Sequence, residues 1–246
     1  MAAEYTERIE LPSKGILYED IPSEVVIRNI TTTEEKMIFG SSNVKSLDKV
    51  MDDCIKEPEG LKVNELLTAD KHFVLIQLRI LTYGSDYNVK NTCEHCRETD
   101  NYVVNLLEDM PIDELDEDFV EPFEFELPMC EDTVGLKLLR GEDLEKVEKK
   151  AKRIKKRSIG NTGDIKYILR KAQSIVTVNG EELPSGKRQK YVESLHGRDS
   201  AYISSALESI RVGYDNLIFK QCKHCGGEME FSLPMNSEFF RPKFRF

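Results

Sequence analysis

Two short segments constrain this chain more than any others. They are "VKNTCEHCRETDNYVVNL", with Cys93 and Cys96, and "IFKQCKHCGGEMEFSLPM", with Cys222 and Cys225. Each reads as strand, Cys-x-His-Cys, polar turn, second strand, a local internal repeat. A Cys-x-x-Cys turn presents two thiolates to one metal, and zinc takes four ligands in a tetrahedron with Zn–S at about 2.3 Å. Two such knuckles facing one another complete a closed structural zinc site. Whatever fold the chain adopts must then bring residues 93–96 and 222–225 together. The 125 residues between Cys96 and Cys222 make this a clip between distant parts of the fold. Closure entropy grows only slowly with loop length, and metal binding offsets it.

Other uses of the four cysteines are weaker. A redox Cys-x-x-Cys wants a strand-to-helix junction, and both motifs lie between strands. Disulfides or unmetallated cysteines are the remaining reading, a minor one because the start "MAAEYTERIELPSKG" has no apolar signal segment and a reducing cytoplasm is expected. His95 and His224 read as exposed loop residues, because four sulfurs already saturate zinc. The spacing does not separate zinc from iron. Cys54 and Cys130 read as buried apolar thiols.

The rest of the chain reads as an α+β protein, short antiparallel sheets beside a helical lobe, with the split zinc ribbon formed by the two distant hairpins. Ile9 and Leu11 alternate with polar residues, and "EVVIRNI" continues as strand before Thr32 or Thr33 caps a helix. Leu47, Val50, Met51, Cys54 and Ile55 fall at helical spacing. "TADKHFVLIQLRILTYG" is a core helix with Thr68 as N-cap and Gly84 as its stop. "FEFELP" and "TVGLKLLR" read as paired strands. Leu144, Val147, Ala151 and Ile154 form one apolar stripe on a highly charged helix, and Asn179-Gly180 marks a hairpin. Two more helices follow, the second capped by Asp199 or Ser200 and closed by Gly213. The organisation expected is residues 1–92 as extended segment and core helices, 93–140 as first knuckle with acidic connection and strands, 141–212 as helical lobe, and 213–246 as second knuckle and tail, within one compact body.

Function classes narrow by exclusion. No apolar run approaches the roughly 20 residues of a membrane span. A net charge of −10 argues against nucleic acid as the main partner. The charge is uneven: residues 108–126 hold acids and no base, while 146–157 are strongly basic, and both read as solvated surfaces. No phosphate loop, HExxH or G-x-S-x-G motif is present, and a closed four-thiolate site has no position for substrate, so no catalytic residue is assigned. The tail "LPMNSEFFRPKFRF" interleaves Phe239, Phe240, Phe244 and Phe246 with Arg241 and other cations. It either folds back on its own domain or docks a partner through those residues.

"IELPSKGILY" followed by a strand and a threonine-capped helix, then "CEHC", "CKHCG" and the closing "LPMNSEFFRP" in that order, resemble the baseplate hub proteins of T-even-type contractile-tailed bacteriophages over most of the chain. The resemblance implies a virion or assembly component without enzymatic activity or small-molecule substrate. It also implies assembly in the host cytoplasm and contacts with other baseplate and tail proteins. Composition and spacing alone leave a zinc-ribbon nucleic-acid adaptor and a Cys-x-x-Cys thiol oxidoreductase as alternatives.

Overall fold

A computed structural model describes residues 4–40, 44–157, 164–233 and 237–241. The chain begins with β1 (Thr6–Glu10) and β2 (Glu24–Arg28), paired antiparallel with Ile9 opposite Val25, and the alternating residues Ile9, Leu11, Val25 and Ile27 are buried. Helix α1 (Thr32–Phe39) follows. Its cap is Thr31, one residue before the expected Thr32 or Thr33: the Thr31 N–H donates to the Glu34 carboxylate at 2.7 Å. Arg28 decides the choice, because its guanidinium holds that same carboxylate at 2.6 and 3.0 Å. Helix α2 (Val44–Cys54) stops one residue short of the expected Ile55. Ile55 instead opens β3 (Ile55–Glu57) opposite Ile27 of β2, where strand pairing satisfies its backbone.

Helix α3 (Thr68–Tyr83) is apolar on most sides and buried throughout from Phe73 to Leu78, including the polar Gln77, whose amide donates to the Tyr214 hydroxyl. Thr68 lies inside the helix, its hydroxyl donating to the Leu139 carbonyl at 2.9 Å. The Leu-Pro-Ser-Lys-Gly turn is pinned to the start of α3. Ser13 N donates to Asp70 Oδ1 at 3.0 Å, the Tyr18 hydroxyl donates to Oδ2 at 2.6 Å, and Asp70 is fully buried. Burial pushes the Asp70 carboxyl up despite these donors. The chain then forms β4 (Asp86–Thr92), β5 (Thr99–Asn105) and the short β6 (Ile112–Asp113).

Residues Asn64–Thr68 and Leu115–Arg211 form a second compact unit. Here β7 (Phe123–Glu126) pairs with β8 (Thr133–Leu136) as expected. Helices α4 (Gly141–Arg157) and α5 (Ile165–Ser174) lead to β9 (Ile175–Val178) and β10 (Glu181–Glu182), joined by a turn with positive φ at Asn179 and Gly180. The sheet order is β10-β9-β8-β7. Helices α6 (Ser185–Ser194) and α7 (Gly197–Ser209) complete the unit. Leu127, Val134, Leu136, Ala172, Ile175, Val192 and Ile203 make its core, and the stripe residues Val147 and Ala151 bury against Leu169. His196, not Asp199 or Ser200, caps α7, its Nδ1 accepting from Arg198 N at 3.1 Å. Asp199 is buried and accepts from Met129 N at 2.8 Å. A buried acid tied to another strand connection is unavailable as a cap.

The first unit, Met1–Val63, Ala69–Glu114 and Val212–Phe246, resumes with β11 (Gly213–Tyr214), paired with β6. Helix α7 ends at Ser209, so Gly213 opens a strand rather than closing the helix. Then come β12 (Leu217–Gln221), β13 (Glu228–Ser232) and a 3-10 turn, Ser237–Phe240. Fold class is therefore α+β, with short antiparallel sheets.

Candidate metal centre

Each knuckle is the turn of a two-stranded hairpin, β4–β5 for Cys93 and Cys96, β12–β13 for Cys222 and Cys225. The two turns repeat the same backbone bonds. In the first, Cys93 N donates to Glu98 O and Arg97 N donates to Cys93 O, both at 2.9 Å. In the second, Cys222 N donates to Gly227 O at 2.8 Å and Gly226 N donates to Cys222 O at 2.9 Å. Both turns need one left-handed residue, Arg97 at φ 64° and Gly226 at φ 73°.

The fold brings the two turns face to face. Cys93 Sγ lies 3.8 Å from Cys225 Sγ, Cys96 Sγ lies 3.7 Å from Cys222 Sγ, and all four sulfurs fall within 4.8 Å of one another. A tetrahedron with metal–sulfur bonds of about 2.3 Å has edges of about 3.8 Å. The donor set and its spacing fit a four-coordinate, sulfur-binding ion. Cys93 and Cys222 are buried, Cys96 half-buried and Cys225 exposed. Backbone N–H groups of Cys225 and His224 hold the Cys222 thiol down to about 6. At Cys96 a backbone bond from Glu98 is outweighed by desolvation and the other three sulfurs, and the thiol is pushed up to about 12. Four neighbouring thiols do not all ionise without a cation to balance them.

Contacts around the sulfurs tie one knuckle to the other. His95 Nε2 is 3.2 Å from the Glu228 carbonyl, which it reaches as a donor, and His224 Nε2 is 3.6 Å from Asp100 Oδ2. Lys223 Nζ donates to the Asn101 carbonyl, lies 3.8 Å from Asp100 and sits 4.9 Å over the Tyr102 ring. Both histidines are thus occupied away from the sulfurs. Cys93, Tyr102, Cys222 and Met229 form a buried cluster with Val89, Cys96 and Phe231 packed on it. The Tyr102 hydroxyl is buried in this cluster with no hydrogen-bond partner among the described residues, and the neighbouring Cys222 sulfur is among the groups that push its titration up. A thiolate at Cys222 would give that orphaned donor an acceptor. Tyr102 belongs to no motif in the sequence, and its alternation with Val104 along β5 is the signal that places both on the inward face.

The aromatic tail residues divide. Phe239 and Phe240 are both 0% exposed. Phe239 packs 5.2 Å from Tyr87 and 5.8 Å from the Arg79 guanidinium, and Phe240 meets it edge-on at 5.8 Å. These two rings are packed within the chain's own first unit, where an apolar niche beside α3 and β4 removes them from water. Arg241 is exposed and lies 4.8 Å over the Phe39 ring. Phe244 and Phe246 lie outside the described residues. Cys54 is buried as expected, and desolvation pushes its thiol up to about 12. Cys130 is exposed, contrary to the expected buried thiol. It sits in the β7–β8 connection, where the core position falls to Leu127 instead.

No helix among the described residues is long and apolar enough to cross a membrane. A sequence-family model described as T4 bacteriophage base plate protein matches residues 3–241, nearly the whole chain. No curated protein and no solved structure matches the chain.

Proposed function

The chain belongs to the T4 bacteriophage base plate protein family, and we propose that it is a structural and assembly subunit of the hub region of a contractile-tail baseplate, held in shape by zinc on Cys93, Cys96, Cys222 and Cys225. Family membership carries the coarser part: a structural baseplate role, partners among other phage tail proteins and a place in the virion tail. The observation that supports the metal reading is the set of sulfur–sulfur distances of 3.7 and 3.8 Å across two turns of the same backbone design.

Zinc bound there would accept four thiolates from these cysteines and keep no open coordination position, the chemistry of a structural site. The chain's own residues then do the rest. β4–β5 and β12–β13, distant in sequence, are locked into one ribbon, with Asp100, Asn101, Lys223, His95 and Glu228 fixing their mutual angle. The acidic and basic segments set which neighbour docks and in what register, more than how tightly.

Two measurements test this. Elemental analysis of the purified protein is expected to give one zinc per chain. Clearly less than one in folded protein, or iron with thiolate-to-iron absorption bands, overturns the zinc assignment. Affinity capture from infected cells is expected to recover tail-tube-proximal baseplate components. Recovery of only peripheral baseplate proteins would overturn the hub placement.

A further inference from the structure

The two halves of α4 treat their charges differently. In the first half, Lys146 pairs with Glu142 at 3.2 Å and Lys149 with Glu145 at 2.9 Å. From Lys149 to Arg157 the sequence contains no acid. Lys152, Arg153, Lys155 and Lys156 are all exposed there, and none is in ion-pair contact with an acid among the described residues. The acidic run shows the converse. Glu121 is used internally, accepting from Leu138 N at 2.5 Å and lying 3.5 Å from Arg140. Asp116, Asp118, Glu124 and Glu126 are exposed, with no cation in ion-pair contact among the described residues. Among them Val120 is 70% exposed.

We infer that the C-terminal half of α4 docks the acidic run 116–126 of a second copy of this chain. The spacing favours it. β7 is the edge strand of its sheet and turns Phe123 and Phe125 inward, which leaves Glu124 and Glu126 on the opposite face, about 7 Å apart. Lys152 and Lys156 stand one helical turn apart, about 6 Å. Val120 would be covered by the aliphatic stems of the lysines. The two surfaces differ, so the contact is head-to-tail. The inference does not depend on the metal.

Sedimentation of the full-length protein, with its metal as isolated, tests it. The wild type is expected to self-associate at about 0.1 M salt and to move toward monomer near 1 M, as the screening length falls from about 10 to about 3 Å. The quadruple variants K152E/R153E/K155E/K156E and D116K/D118K/E124K/E126K should each associate about tenfold or more weakly alone. Mixed together they should associate again, since each restores the other's complement. Neutral Gln and Asn versions serve if a reversal disturbs folding, and should weaken association in the same sense. A monomeric wild type at low salt, reversals without effect, or a mixture that stays apart while both variants melt normally would overturn the inference. So would a monomeric wild type retained on double-stranded DNA through the four cations, which would identify the partner as a nucleic acid.

Discussion

The two knuckles share one backbone plan and differ in how they meet its demands. Both close with the same pair of hydrogen bonds, and both require a left-handed residue at the same point. The second uses Gly226, which adopts that conformation freely; the first uses Arg97, whose Cβ makes it costly. One position later the first knuckle has Glu98 and the second Gly227. There a Cβ would meet His95 Cδ2 of the opposite knuckle at 2.7 Å. The second knuckle is thus cut to receive the first. The repeat in sequence is a repeat of one backbone turn that offers two thiols, and the departures from it record where two turns had to fit together.

The sharpest test of that pairing is loss of a ligand. Cys222→Ser removes the buried sulfur that receives N–H groups from Cys225 and His224. It is expected to abolish stoichiometric metal and cost more than about 3 kcal/mol in the metal-loaded protein, read by metal content and chemical denaturation. Chelation should bring the wild type down toward the variant; equal stability with and without metal would break the comparison at its root.

A smaller effect is expected from Tyr102→Phe, which deletes the orphaned hydroxyl beside Cys222. Metal affinity should fall about tenfold in competition with a chromophoric chelator. Unchanged or tighter binding would mean that the hydroxyl never donates to the sulfur. Next come the two left-handed positions, where opposite signs are expected. Gly226→Ala should destabilise by about 1–2 kcal/mol, and Arg97→Gly should stabilise by up to about 1 kcal/mol, both measured by denaturant midpoint at constant slope. Two changes of the same sign would show that the turns are not equivalent. The mildest is Gly227→Ala, about 1 kcal/mol, because only the His95 ring must yield. Adding His95→Ala should remove most of that penalty, a non-additivity visible in a double-mutant cycle.

Much of the site was legible because its signals are local. Cys-x-x-Cys between strands is a property of six or seven consecutive residues, and the alternation in β4, β5, β12 and β13 follows from a period of two. The stripe Val147–Ala151 and the Asn179-Gly180 turn were readable for the same reason. Choices among near neighbours were less so. Thr31 caps α1 because Arg28, from another strand, holds Glu34. Asp199 does not cap α7 because it is bonded to Met129. Each candidate had adequate local chemistry, and a partner outside the helix decided between them.

The sequence by itself determined that four thiols would be offered in two matched turns, and that the chain would mix helices with short antiparallel strands. Only the tertiary structure decided that the turns meet at a tetrahedral edge length, that Phe239 is buried against Tyr87 and Arg79 with Phe240 edge-on to it, and that Cys130 faces water. Spacing along a chain sets what a segment can present. What it is presented to depends on contacts across more than a hundred residues, where burial and packing outweigh local preference.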